Sequence, residues 1–286
     1  MRKLSVYLII AASTMTLSGC GLVTDGVNYT DLTTPRYCSL DNTKTFQAQD
    51  TLKVVSYNIK YAVKSELAGK LLHEDKNLAD ADIIFLQEMD REGVEKIANT
   101  IGCNYIYYPA VRHPLSNRDF GNAIVTKWPI IFDQKIILPH LDPDNLQRVV
   151  VGAGIQVGDK YLMAYSIHMS IWLKPEERRD QLMTLISSIP ARFDHVIIGG
   201  DFNTYTKFNR RTVFQTFNEA GFNVATTSVK WTYKQWFLLN KKSLIDYIFV
   251  KNMQGVEAGI VKNRRASDHV PVWTRVKFDE LNSAKE

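Results

Sequence analysis

The chain has 286 residues, of which 45% are hydrophobic and 23% charged, so it can bury one large core and is not an unfolded or low-complexity chain. A formal net charge of +5, from 35 Lys plus Arg against 30 Asp plus Glu, leaves it modestly basic, which does not by itself select a partner. Three cysteines without a CxxC pair, and the lack of an HExxH motif, argue against a zinc site of the usual thiolate or imidazole kind.

The N-terminus reads as a targeting segment and not as fold. Met1-Arg2-Lys3 is a positive start, Leu4 to Leu17 is an apolar stretch too short for a membrane span, and Leu17-Ser18-Gly19-Cys20 closes it. That closing tetrapeptide resembles the bacterial lipobox. The resemblance implies cleavage before Cys20, lipidation of that cysteine, and a location in the exported bacterial cell envelope, lipid-anchored to a membrane. The alternative is an ordinary secretory signal whose cysteine has no role. The expected organisation is a signal peptide at 1–19, the lipidated cysteine and a polar tether at 20–50, a globular domain at 51–279 and a polar tail at 280–286. An oxidising compartment permits a bridge between Cys38 and Cys103, and two separate thiols fit equally.

Within the domain, apolar strand-like runs alternate with helix-like stretches. Val54-Val55-Ser56-Tyr57-Asn58 alternates and delivers Asn58 at its end. Leu78 to Asp82 and Glu92 to Ile101 predict short helices flanking the buried-type run Asp82 to Glu88, which delivers Glu88. Arg148 stands before the strand Val149-Val150-Val151. Pro175 to Ser188 predicts a helix, with Pro175 in its first turn, acids behind it, and Leu182, Leu185 and Ile186 on one face. The run Ile197-Ile198-Gly199-Gly200-Asp201-Phe202-Asn203 ends at a carboxylate and a carboxamide two residues apart, which extended backbone would point the same way. Asp246 heads Asp246-Tyr247-Ile248-Phe249-Val250, and Ser267-Asp268-His269 sets a carboxylate beside an imidazole just before Val270-Pro271-Val272-Trp273.

Singly, each polar residue has an ordinary reading: a Gly-Asp turn, a satisfied histidine, an asparagine in a cap. Gathered at the ends of apolar strands, they are what metal-assisted attack on a phosphoester requires. A hard cation such as Mg²⁺ needs only one or two carboxylates, waters and substrate oxygens.

Ser56-Tyr57-Asn58, Leu86-Gln87-Glu88, Ile167-His168-Met169-Ser170, Gly200-Asp201-Phe202-Asn203, Ile245 to Val250 and Ser267 to Trp273 together resemble the endonuclease/exonuclease/phosphatase superfamily, in its order and over roughly residues 52 to 278. The resemblance implies an α+β, four-layered α/β/β/α sandwich of the DNase I-like kind, with two mixed sheets packed face to face and helices outside. It implies a metal-dependent phosphoester hydrolase with Glu88 as principal Mg²⁺ ligand (Mn²⁺ also fits) and with Asn58 and Asp268 completing the metal and phosphate environment. Asp201 would position or deprotonate the attacking water, and Asn203 would donate to the phosphoryl oxygens. His269 would act as general base or phosphate donor, oriented by Asp246. His168 would face the phosphate from the other side, and Arg148 would bind it. No GxSxG serine suggests a covalent intermediate.

Basic residues cluster at Arg112–Arg118, Lys207–Arg211, Lys230–Lys242 and Lys262–Arg265, in expected loops interleaved with Tyr205, Phe208, Trp231, Tyr233 and Trp236. Such loops suit a nucleic-acid backbone, and they also suit an anionic phospholipid headgroup. His168 stands where the abasic-site branch of the superfamily typically carries tyrosine, which disfavours that branch. The expected activity is that of an envelope-anchored DNase-like endonuclease, with nucleic acid favoured over phospholipid. A sphingomyelinase-like phospholipid phosphodiesterase draws on Trp236-Phe237-Leu238-Leu239, a run that suits a membrane-touching loop or a core strand. An inositol-phosphate-type phosphatase fits less well, because the segment around His168 lacks that branch's longer charged stretch. A catalytically inactive binding module is the reading from another class, and retention of every expected polar position argues against it. No obligate protein partner is evident.

Overall fold

The structure, a computed structural model, describes residues 26–41, 46–47, 49–142, 144–235 and 241–279. The signal at 1–19, the lipidation site Cys20, the run Trp236 to Leu239 and the tail at 280–286 lie outside the described residues.

Two mixed sheets form the centre of the molecule. The eight-stranded sheet runs in the order Val27–Asn28, Asn104–His113, Arg118–Thr126, Ile83–Met89, Thr51–Asn58, Val272–Phe278 and Met253–Ile260, with Tyr37–Ser39 also pairing Asn104–His113. The six-stranded sheet runs Asn223–Val224, Asp246–Lys251, His195–Asp201, Lys160–His168, Val149–Val157 and Ile130–Ile137. Each carries a single parallel pair, Thr51–Asn58 with Ile83–Met89 and His195–Asp201 with Lys160–His168, among antiparallel neighbours.

Continuous apolar runs serve here because both faces of each sheet are covered. Along the first sheet Val54, Ile83 and Phe85 point to the core between the sheets, while Val55, Ile84 and Leu86 point to helices. Along the second, Ile197 joins the inter-sheet core and Val196 and Ile198 face the other way. Helices α1 (Ser65–Glu74) and α2 (Arg91–Ile101) cover the first sheet through Ala68, Leu72, Val94 and Ile97. Helices α3 (Pro175–Ser187) and α4 (Lys207–Glu219) cover the second through Leu182, Leu185, Val213 and Phe217. The result is the four-layered α+β sandwich. Each fully buried Val, Leu, Ile or Phe contributes about 1.5–3 kcal/mol to its cohesion.

Helix α2 is punctuated as its sequence demands. The Asp90 side chain accepts from Gly93 N at the start, and Gly102 takes left-handed backbone (φ 69°) at the end. The structure departs from the sequence reading at three other places. Leu78 to Asp82 is a turn, with Asp80 in left-handed backbone (φ 59°), and the helix before Ile83–Met89 lies earlier, at α1. Lys207–Arg211 is not a loop; it opens α4, whose Thr206 cap accepts from Asn209 N, because Val213 and Phe217 need a helix to reach the core. Residues 26–41, read as tether, are docked on the domain. Val27–Asn28 and Tyr37–Ser39 add strands to Asn104–His113, Arg36 forks onto Asp133, and the Lys135 ammonium donates to the carbonyls of Tyr29, Asp31 and Thr34. Cys38 and Cys103 do not form a disulfide, since Cys38 packs toward the inter-sheet core and Cys103 toward the helices.

Candidate active site

Register gathers the first three site residues. Asp201 is the Cα partner of His168 on one neighbouring strand and of Asp246 on the other. Partners in register share a face, so three distant stretches of sequence emerge side by side at one end of the sheet. Gly199 and Gly200 precede Asp201 because neither position has room for a side chain. A Cβ on Gly199 would strike the Phe85 ring of the facing sheet, and one on Gly200 the Ile167 carbonyl.

The facing sheet supplies Asn58 and Glu88. The register slips between Leu86 and Met89, and Glu88 adopts left-handed backbone (φ 57°) at this irregularity. Asn58 Nδ2 donates to Glu88 Oε1 and to Asp201 Oδ2, each at 3.0 Å, and so links the two sheets at the site. Its Oδ1 is turned away, accepting from Lys60 N at 3.0 Å. In this geometry Asn58 is a donor that fixes two carboxylates.

Just beyond Asn58, Lys60, Tyr61 and Ala62 all take left-handed backbone, with φ of 48°, 57° and 54°. Each such residue with a side chain costs about 1–2 kcal/mol. The turn is held by Lys60 N on Asn58, by Tyr61 N on Glu88 Oε2 at 3.1 Å, and by Lys60 Nζ on Asp268 at 2.7 Å. Asn203 is also left-handed (φ 49°), and its N–H returns to Asp201 Oδ1 at 2.9 Å. Alternation along a strand therefore does not bring Asp201 and Asn203 together; an Asx-type turn just past the strand end does.

His168 and His269 flank Asp201. His269 Nδ1 lies 2.9 Å from Asp246 Oδ2, and Nε2 lies 3.6 Å from Asp201 Oδ2. Burial alone would lower its pKa, but Asp246 and Asp201 overcome burial and raise it to about 10. His168 Nδ1 lies 2.9 Å from Arg148 Nη1. A guanidinium only donates, so Nδ1 accepts and the ring proton sits on Nε2, facing Asp201 at 3.7 Å and Glu88 at 3.9 Å. Burial, then Arg148, then His269 hold the His168 pKa well below its ordinary value. Arg148 is itself gripped by Asp142 at 2.6 Å. Asp201 is pushed well above the carboxylate range by burial and by Asp246, with His269 opposing.

These groups line a pocket of about 260 Å³. Glu88, Arg148, His168, Asp201, Asn203, Asp268 and His269 face it, whereas Asn58 and Asp246 stand behind the wall and act on residues that do. Three aromatic walls were not legible as such: Tyr61, Tyr205 and Tyr233, the last two in edge contact at 5.7 Å, with Tyr233 against His269 at 5.0 Å. Tyr205 and Tyr233 belonged to the basic–aromatic stretches; Tyr61 carried no signal. Among the described residues, the Lys and Arg side chains of the four basic clusters do not line the pocket. Arg178, wholly buried on α3, also escaped notice. It donates to Phe202 O at 2.6 Å and Ser170 O at 3.2 Å, pinning the chain just after Asp201 and just after His168.

Two donor sets suit a divalent cation differently. Asp201, Asp246 and His269 bring ligand atoms within 4.8 Å of one another, but His269 gives its Nδ1 proton to Asp246 and, charged, stands 3.6 Å from Asp201 as an ion pair, so it has no lone pair to offer. Glu88 is the better fit. Its half-buried carboxylate takes hydrogen bonds from Asn58 and Tyr61 N, its pKa is raised by desolvation, and no Lys or Arg pairs with it among the described residues. A hard oxygen donor short of positive charge matches Mg²⁺ or Mn²⁺.

A two-sheet sandwich that ends its strands in carboxylates, amides and imidazoles around one pocket defines a phosphoester-hydrolase class of protein. The chain belongs to the endonuclease/exonuclease/phosphatase family, whose sequence profile matches residues 55–269. Solved structures of similar fold include a family protein from Bacteroides vulgatus (TM-score 0.64, 14% identity, covering 81% of this chain and 100% of that one). A family protein from Leptotrichia buccalis gives 0.61 at 16% identity, covering 79% and 100%. D. rerio TDP2 complexed with single-strand DNA product gives 0.63 at 16% identity, covering 80% and 100%. No curated protein matches the sequence significantly.

Proposed function

We propose that the chain is a divalent-cation-dependent phosphodiesterase that cuts nucleic-acid strands by direct attack of water on phosphorus. The observation that carries this reading is the pairing, across one pocket, of a half-buried Glu88 with no Lys or Arg partner among the described residues and the Asp246–His269–Asp201 chain. Mg²⁺ or Mn²⁺ held by Glu88, with Asp268 beside it, would neutralise charge growing on the phosphoryl oxygens.

The protein's own groups then divide the work. Asp201, with its raised pKa and two donors fixing its oxygens, orients the attacking water and takes its proton. His269, protonated and steered by Asp246, donates to a phosphoryl oxygen as charge builds. Asn203 Nδ2 gives an N–H to Met169 O and lies 3.2 Å from His168 Nε2, which sets the amide on the pocket wall where a phosphate would sit. Arg148 holds His168 and adds positive charge to that wall.

Aromatic side chains around the mouth suit bases stacked beside a scissile phosphate. Similarity to a fold seen with single-strand DNA product supports the same substrate class. An anchor at Cys20 would hold this activity at the exported face of the bacterial envelope. The test is nicking of plasmid and cleavage of single-stranded DNA with Mg²⁺, with EDTA, and with Glu88→Gln. Cleavage should require the metal and vanish in the variant. Metal-independent cutting would remove the Glu88 assignment. A folded protein that cuts phospholipid headgroups and no nucleic acid would replace the substrate.

A further inference from the structure

The turn at Lys60–Ala62 is unaccounted for by phosphate chemistry. None of the three residues is glycine, yet all sit in left-handed backbone, held by hydrogen bonds to Asn58 and Glu88. Backbone of this kind persists only where its surroundings over-determine it, and it gathers at ligand clamps. The geometric outcome of the turn is the placement of one ring. Tyr61 lines the pocket with 38% of its surface exposed, its own N–H bonded to Glu88. Two nearly buried rings brace it: His113 edge-on at 5.1 Å and Phe120 tilted at 5.4 Å. Phe120 is in turn capped by the Arg148 guanidinium at 5.3 Å and touches His168 at 5.9 Å. An exposed aromatic with a fixed backbone and a braced back is a surface pre-set for a flat partner.

We propose that Tyr61 is the stacking platform for the nucleobase next to the scissile phosphate. The proposal rests on the nucleic-acid reading of the pocket and sharpens it. Every base has a π-face, so a single platform beside the phosphate groups makes the enzyme favour base-bearing strands while remaining tolerant of sequence. The neighbouring residue, Lys60, pairs its ammonium with Asp268 at 2.7 Å, which ties the turn that carries Tyr61 to an acid of the same pocket.

The test compares the full chain on a single-stranded oligonucleotide with the same strand lacking the bases on either side of one marked linkage. KM at the base-bearing linkage should be lower by about 5- to 100-fold. Tyr61→Leu should bring the two KM values together, and Tyr61→Phe should keep them apart. Equal KM values for wild type on the two strands would overturn the platform and leave the nucleic-acid reading standing, whether or not the variants fold. A Tyr61→Leu protein that melts normally and keeps the full difference would also overturn it. If wild type cuts neither strand but hydrolyses phosphatidylcholine–sphingomyelin vesicles, the nucleic-acid reading itself has failed, and the platform with it.

Discussion

On one side of Asp201 stands His269, held by a carboxylate and carrying a proton up to a pKa of about 10; on the other stands His168, held by a guanidinium and kept neutral. Their supports differ in kind. Asp246 is a strand residue in direct register with Asp201, so the His269 side is fixed by the sheet. Arg148 lies outside the strand Val149–Val157, gripped by Asp142 and preceded by a wall, Leu146 and Gln147, that belongs to a loop. The pocket thus presents a charged donor whose supporting carboxylate is set by the sheet, facing a neutral ring that ends a strand but whose supporting guanidinium comes from a loop. A single attacking water needs that asymmetry: two protonated imidazoles would repel each other and the cation, and two neutral ones would leave the phosphoryl charge unopposed.

The largest break in the comparison is on the charged side. His269→Ala should lower kcat by about 10²–10⁴-fold and also lower the melting temperature, because Asp246 is left buried without its partner; steady-state cleavage and melting read the two effects. Asp246→Asn keeps the shape and removes the charge, so it should fall in the same range, with the His269 pKa dropping because its largest raising influence is gone. An Asp246→Asn enzyme of wild-type rate would mean that His269 works without being charged.

On the neutral side, Arg148→Gln should cost about 10- to 100-fold in kcat through misplacement of His168. It should also raise the His168 pKa, since the guanidinium is one of the influences holding it down. Imidazole nitrogen shifts in the EDTA-treated protein separate the two rings directly. At pH 8 His269 should be protonated on both nitrogens and His168 protonated on Nε2 alone. Both rings titrating together near their ordinary value would erase the asymmetry.

The two sides were not equally legible in sequence. Asp246, Asp201 and His269 were readable because each ends or abuts an apolar strand, and strand ends are where a sheet collects side chains. Helices α2 and α3 announced themselves through the stretch Glu92 to Ile101 and through Pro175. Asp142 and Tyr61 were invisible because a loop's side-chain direction depends on local φ, and nothing in the letters Ile59-Lys60-Tyr61-Ala62 encodes three left-handed residues in a row. Arg178 was hidden by its type: an arginine in an amphipathic helix reads as solvated, and only the carbonyls of Ser170 and Phe202 explain its burial. The stretch 26–41 was read as tether because its composition is polar, whereas its pairing to Asn104–His113 is a backbone property that composition does not report.

Among the described residues that docked stretch reaches the neutral side, through Asn145 and Gln147, which gives the finest test of the difference. Asn28 Oδ1 accepts from Gln147 N at 2.9 Å and its Nδ2 donates to Asn145 O at 2.8 Å, bracketing the loop one residue before Arg148. An edge strand of the eight-stranded sheet therefore stiffens the wall that positions His168. Asn28→Ala removes two partly exposed hydrogen bonds, a change of about two- to tenfold in kcat by their usual worth. The loss should follow the Arg148 arm: in Asn28→Ala, Arg148→Gln should cost less than it does in wild type, because the wall is already loosened, while Asp246→Asn should cost the same. Equal penalties in the two backgrounds would show that the N-terminal strand holds the domain together without tuning the site. A coupling confined to Arg148 would show that the Val27–Asn28 strand tunes the support of one histidine and spares the other.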